Sequence, residues 1–118
     1  MYKRIRERWR MAVNPKLKDE ETDHLFRAIL QLRNIDECYM FFEDICTITE
    51  LKALAQRFTV AHMLKNGKTY NEIVEATGAS SATISRVNRF IKYGADGYNL
   101  VLERLAQTPG NEREYKPE

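Results

Sequence analysis

"TYNEIVEATGASSATISRVNRFI", residues 69–91, holds two short helical periods separated by a glycine and a run of small residues. Thr69 followed by Glu72 has the spacing of a capping box, in which a hydroxyl and a carboxylate satisfy each other's backbone N–H groups at a helix start. The spacing predicts a short helix from Tyr70 to about Thr77, with Ile73 and Val74 inward and Gly78 as its stop. Ser80 is a good N-cap for a second helix that runs to about Tyr93, where Gly94 closes it. Joined by the turn Gly78-Ala79-Ser80, the two make a helix-turn-helix over about residues 69–93.

The opening of the second helix explains what such a pair would do. A recognition helix in the DNA major groove presents its first residues to base edges, and bulky apolar groups there would hold it off. Ser81, Ala82 and Ser85 permit close approach, with hydroxyls for hydrogen bonds and a methyl for thymine, and Thr83 and Asn88 belong to the same contact set. Ile84, Val87 and Ile91 recur at core spacing, whereas Ser81, Ser85, Arg89 and Lys92 share the opposite side. Lys68, Arg86, Arg89 and Lys92 are the expected phosphate ligands, the two arginines also reaching guanine, and Thr69, Tyr70 and Asn71 are placed for backbone contacts. An αα-hairpin with a solvated arginine face is the competing reading. The short capped first helix, the fixed turn, the small-residue opening and the basic second helix together favour DNA.

Charge supports that reading in blocks. The net +2 of the 118 residues conceals +6 over residues 1–18, −6 over 19–46, +4 over 47–92 and −2 over 93–118. The helix-turn-helix lies in the central basic block, and the acidic block reads as a solvated outer face that keeps one side of the molecule away from DNA. With 43% hydrophobic and 31% charged residues, the chain has the size and composition of one globular domain with many amphipathic surfaces. Strand signals are almost absent, so the expected fold class is all-α.

Working towards the N-terminus, "TITE" gives Thr47 and Glu50 a second capping box, followed by the stripe Leu51, Leu54, Phe58, Ala61 and Leu64 up to Gly67. Before it, Ile35, Cys38, Tyr39, Phe42, Ile45 and Cys46 form one helical face widened by Met40 and Phe41, and Leu25, Ile29 and Leu32 mark a helix over residues 19–32. These two helices carry more large apolar groups than a chain of this size easily hides alone; a homodimer is the natural outlet, and a thick monomer core is the competing reading. A last amphipathic segment, Tyr98 to Leu105, carries Val101, Leu102 and Leu105. The expected layout is a basic arm over 1–18, a helical domain over 19–106 and a flexible tail over 107–118. In the arm, Lys3, Arg4, Arg6, Arg8 and Arg10 could track phosphates or simply form a disordered leader.

Other function classes find little support. Cys38 and Cys46, about 12 Å apart along one helix, are too far apart for a disulfide and read as small apolar packing groups. With His24 and His62 they form no zinc pattern. No nucleophile–base–acid set, phosphate loop or carboxylate pair stands out, so neither enzymatic activity nor a cofactor is expected. No stretch approaches the roughly 18 apolar residues of a membrane span, and "MYKRIRERWR" lacks the apolar core of a signal peptide, which points to the cytoplasm.

"GASSATISR", residues 78–86, followed by "VNRFIKYG", resembles the Trp repressor-like family, and "DECYMFFEDICTITELKALAQRFTVAHML", residues 36–64, resembles its YerC/YecD branch. The resemblance covers about residues 19–105 and implies a Trp repressor-like all-α homodimer with interlaced N-terminal helices and one helix-turn-helix per half-site. It further implies a ligand pocket. The family's two corepressor-sandwiching arginines correspond to Arg57 and Arg86, and its threonines to Thr47 and Thr83. Two positions depart from the family: its Gly after the second arginine is Val87 here, and its ammonium-binding Ser is Phe90. Added bulk and a lost hydroxyl argue against tryptophan and for a constitutive binder or an unknown small-molecule effector. The expected partners are double-stranded DNA and a second copy of the chain, and the expected role is transcriptional regulation, most simply repression. The alternatives are a helical protein-interaction module with a degenerate helix-turn-helix and a small-molecule sensor.

Overall fold

The computed structural model describes residues 13–108, which form a short 3-10 turn at Pro15–Leu17 and six α-helices, with no strand among the described residues. The helices are α1 (Glu20–Ile29), α2 (Ile35–Ile45), α3 (Ile48–Lys65), α4 (Tyr70–Thr77), α5 (Ser81–Tyr93) and α6 (Gly97–Gln107). The cations of the basic arm up to Arg10, and the tail after Thr108, lie outside the described residues. The chain divides into two units, residues 1–52 and 53–118.

In the first unit, side-chain caps define where helices start. Asp19 Oδ1 accepts from the backbone N–H of Thr22 at 2.7 Å and begins α1, whose first turn also carries Glu20, Glu21 and Asp23 at the positive end of the helix dipole. Asn34 Oδ1 accepts from Glu37 N at 2.8 Å, while Glu37 Oε1 accepts from Arg33 N at 3.0 Å, so the start of α2 is closed from both sides. This cap explains why α1 ends at Ile29 and not at the expected Leu32: with Asn34 committed as the next N-cap, the intervening residues must turn, and Gln31 and Leu32 bond back to Ala28 and Ile29. The caps are satisfied, yet neither helix has a buried residue. Ile35 is 74% exposed, and Phe26, Leu30, Tyr39, Met40 and Ile45 are exposed with it. Cys38 is exposed and Cys46 half-buried, both as free thiols, so the expectation that both pack as apolar groups fails for Cys38.

The second unit has a core of its own. Val60, Ala61, Met63, Ile73, Ala79, Ile84, Val87 and Leu102 are buried, with Phe58, Leu64, Ala76, Ile91 and Tyr98 packed around them. The stripe expected on α3 is corrected: its buried positions are Val60, Ala61 and Met63, and Leu54 is exposed. A second correction falls on Val74, which is exposed, leaving Ile73 as the inward residue of α4. An eight-residue helix can bury little more than one position per turn. α4 packs on α5 and α5 on α6. At the entrance to α6, Asn99 Nδ2 donates to Ile91 O at 2.9 Å and to Asp96 Oδ1 at 3.3 Å, tying that helix to the end of α5.

Candidate nucleic-acid interface

The candidate site is built on α4, α5 and the turns around them. α3 ends in a Schellman motif: Gly67 takes φ +78°, its N–H donates to Leu64 O, and the N–H of Lys68 reaches back to Met63 O at 3.1 Å. A side chain at position 67 would be strained in that left-handed conformation. Lys68 is thereby fixed immediately ahead of Thr69, which caps α4 as expected. Thr69 Oγ1 accepts from Glu72 N at 3.2 Å, and Glu72 Oε1 accepts from Thr69 N at 3.3 Å.

The turn between the helices is held more firmly than its sequence suggests. Gly78 takes φ +70° and its N–H donates to Val74 O at 2.8 Å. Ala79 is buried, and its N–H donates to Thr77 Oγ1 at 3.1 Å, while that hydroxyl donates to Ile73 O at 2.7 Å. Gln56 Nε2 on α3 donates to Thr77 O at 3.1 Å. Thr77 and Gln56 are therefore positioning residues that the sequence reading missed. A Thr just before a helix-ending Gly was a usable signal, whereas the partner 21 residues away was not.

Ser80 then caps α5, accepting from Thr83 N at 3.1 Å and donating to Thr83 Oγ1 at 3.0 Å. Burial of Ile84 and Val87 at 0% and 1% exposure fixes the rotation of α5. Ser81, Ala82, Ser85, Arg86, Arg89 and Lys92 are consequently exposed, and Thr83 and Asn88 half-buried at the edges of that face. Lys68, Tyr70 and Asn71 are exposed on the chain entering α4. Among the described residues, no hydrogen bond or ion pair occupies the side chains of Lys68, Arg86 or Lys92, and the guanidinium of Arg89 lies 5.7 Å from the ring centroid of Phe90. Asn88 Nδ2 on α5 donates to the Tyr70 hydroxyl on α4 at 3.3 Å. The arrangement is an exposed face of hydroxyls and unpaired cations carried on a firmly capped helix, which can approach an anionic surface without first breaking ion pairs.

The residues assigned to a ligand pocket have different surroundings. Val87 belongs to the core of the second unit, and Phe90 is 48% exposed one turn after Arg86. Arg57 is exposed and its Nε donates to Ala53 O of its own helix at 3.3 Å. In the first unit, Thr47 caps α3 through Glu50 and lines a cavity of about 290 Å³ together with Tyr39, Cys46, Ile48 and Leu51. The two backbone and side-chain hydrogen bonds from Thr47 hold the Glu50 carboxyl below the usual carboxylate range, as those from Thr22 do for Asp19.

These features define an all-α protein whose second unit displays a capped helical pair with a basic, hydroxyl-rich second helix. Residues 20–106 match the Trp repressor protein family, and the chain belongs to that family. The uncharacterized protein YerC of Bacillus subtilis (strain 168) is 53% identical over 93 residues, spanning 79% of this chain and 89% of YerC. A crystal structure of a TrpR-like protein from Eubacterium eligens ATCC 27750 superposes with a TM-score of 0.76 at 58% identity, covering 79% of this chain and 96% of that one. A Staphylococcus aureus protein provisionally described as a Trp repressor gives a TM-score of 0.75 at 49% identity, covering 77% and 91%.

Proposed function

We propose that the chain is a sequence-specific, double-stranded-DNA-binding transcriptional regulator that acts as a homodimer, most simply as a repressor that occupies a promoter. α4 and α5 serve as its helix-turn-helix, and residues 19–106 are the domain that carries the function. The single observation behind the reading is the exposed face of α5, where Ser81, Ala82 and Ser85 lie beside unpaired Arg86 and Lys92 on a helix whose rotation the core determines. Cations supply binding energy through phosphates, and short hydroxyls and methyls read base edges. Two such helices about 34 Å apart demand a pseudo-palindromic site.

The regulator acts without tryptophan. Val87 adds methyl groups inside the core, and Phe90 has no hydroxyl to accept an ammonium proton, so that ammonium would go unpaired at a cost of about 1–3 kcal/mol. Selection of genomic duplex fragments at physiological salt, with and without tryptophan, tests both statements. The expected result is a two-fold symmetric sequence enriched equally in the two conditions. Enrichment only with tryptophan would overturn the ligand statement, and no enrichment at any salt would overturn DNA recognition.

A further inference from the structure

The hydrogen bond between Asn88 and Tyr70 joins the recognition helix to the first residue of α4 through side chains alone. At 100° per residue, Ser81, Ser85, Asn88 and Lys92 stack along one line of α5, so the half-buried amide of Asn88 lies at the edge of the exposed face, in line with the two serines. An Asn side chain that nothing holds is an ambiguous reader. Rotating its amide by half a turn exchanges the acceptor oxygen for the donor nitrogen, and the residue then suits either kind of base edge. Here the nitrogen faces the hydroxyl: Nδ2 donates one hydrogen to the Tyr70 oxygen at 3.3 Å. That leaves the second N–H and Oδ1 as an adjacent donor–acceptor pair, the complement of N7 and the exocyclic amine of adenine in the major groove.

We infer that Tyr70 is a specificity-positioning residue: it holds the Asn88 amide in one orientation, so that Asn88 reads an adenine at one position in each half-site. The inference rests on the DNA-binding reading proposed above. Tyr70 needs no base contact for this role. It is 38% exposed, on the rim of α4, and acts on the base through the amide it holds. The reverse orientation, with the hydroxyl donating to Oδ1, would leave two N–H donors outward and would select guanine's two acceptors instead.

The experiment is selection from a randomised duplex library with wild-type protein, Tyr70→Phe, Asn88→Ala and the double variant. Melting temperature and far-UV circular dichroism check that each variant folds. Wild type is expected to prefer adenine at one position per half-site by about tenfold, the discrimination of a modest bidentate contact. Tyr70→Phe, which keeps the ring and loses only the hydroxyl, should erase most of that preference at that position alone. Asn88→Ala should erase the same preference, and the double variant should go no further than Asn88→Ala. A guanine preference at that position, an equal loss on all sequences in Tyr70→Phe, or additive effects in the double variant would overturn the inference while leaving DNA binding intact. Wild-type protein that binds no duplex at low salt would overturn the DNA-binding reading itself, and the inference with it.

Discussion

Helices α2 and α5 are of similar length, 11 and 13 residues, and each begins at a side-chain cap, yet their apolar residues end in opposite situations. α5 sends Ile84 and Val87 into a core at 0% and 1% exposure, whereas α2 leaves Ile35, Tyr39, Met40 and Ile45 between 51% and 74% exposed. The local signals are equally good, so what differs is the supply of covering surface. The second unit closes its core with α3, α4 and α6 from its own chain. Among its described residues the first unit does not, and at about 25 cal/mol per Å² an uncovered row of large side chains is a substantial unspent driving force. A second copy is the cover that the proposed homodimer supplies.

The sharpest test of that contrast pairs the same substitution at two sites. Ile84→Ala should cost about 2–5 kcal/mol in chemical denaturation, because it empties a fully buried position. Ile45→Ala, at a position 51% exposed in the single chain, should cost under about 0.5 kcal/mol if the chain acts alone. If a second copy covers α2, the loss at Ile45 should exceed that figure and grow on dilution. A small, concentration-independent loss at Ile45 would break the dimer reading and leave the core of the second unit untouched.

Next in size is Tyr39→Asp, which puts a charge on the exposed face of α2. Sedimentation equilibrium should find wild type at twice 13.9 kDa and the variant at that mass. Losing the second half-site should then cost about 100-fold in affinity for a symmetric duplex, because tethered second-site binding contributes on that order. A wild type that is monomeric at micromolar concentration would contradict this, as would a variant that stays dimeric.

Much of this was legible in the sequence, for reasons that differ by residue. The capping boxes at Thr47 and Thr69, the N-cap at Ser80 and the stops at Gly67 and Gly78 were readable because a cap is settled by residues three or four apart. Ile84 and Val87 could be read as core because a 13-residue helix repeats its period often enough to show it. Val74 could not: an eight-residue helix shows two turns, and only the neighbours decide which of two adjacent apolar residues turns inward. The shift of the α3 core to Val60 and Met63 has a different origin: this 18-residue helix carries apolar residues on several sides, so its period does not single out one face and the neighbouring helices select it. In the candidate site, the residue types and the outward face were legible, but the bonds from Gln56 to Thr77 and from Asn88 to Tyr70 span 21 and 18 residues, and no local pattern encodes them.

A smaller effect separates caps that serve a closed core from caps that do not. Thr69→Ala removes the acceptor for Glu72 N at the start of α4 and should lower the stability of the second unit by about 1 kcal/mol. Asn34→Ala removes the corresponding bond at α2 and should cost a similar amount. The two losses should differ in kind. Under the dimer reading, the loss at Asn34 reduces association as well as helix content, whereas the loss at Thr69 is independent of protein concentration. Concentration-dependent melting of both variants would show whether the two regions are coupled in this way, and equal concentration dependence would refute it.

The smallest effect is a response to acid that begins at helix starts in the first unit. Asp19 and Glu50 have carboxyls held below their ordinary values by hydrogen bonds from Thr22 and Thr47, so folding favours their ionised forms. Their contribution to stability is therefore fully present above the unfolded values, about 3.9 for Asp and 4.3 for Glu, and is lost as pH falls through the lower folded values. Both groups are fully exposed to solvent, so the effect is modest and screened by salt. Amide exchange near the starts of α1 and α3 should accelerate between pH 4.5 and pH 3 beyond the change expected for unstructured amides. Asp19→Asn and Glu50→Gln should each remove the acid dependence at their own helix and leave the other. Acceleration confined to α4 and α5 over that range would place the acid-sensitive element in the second unit and reverse the comparison.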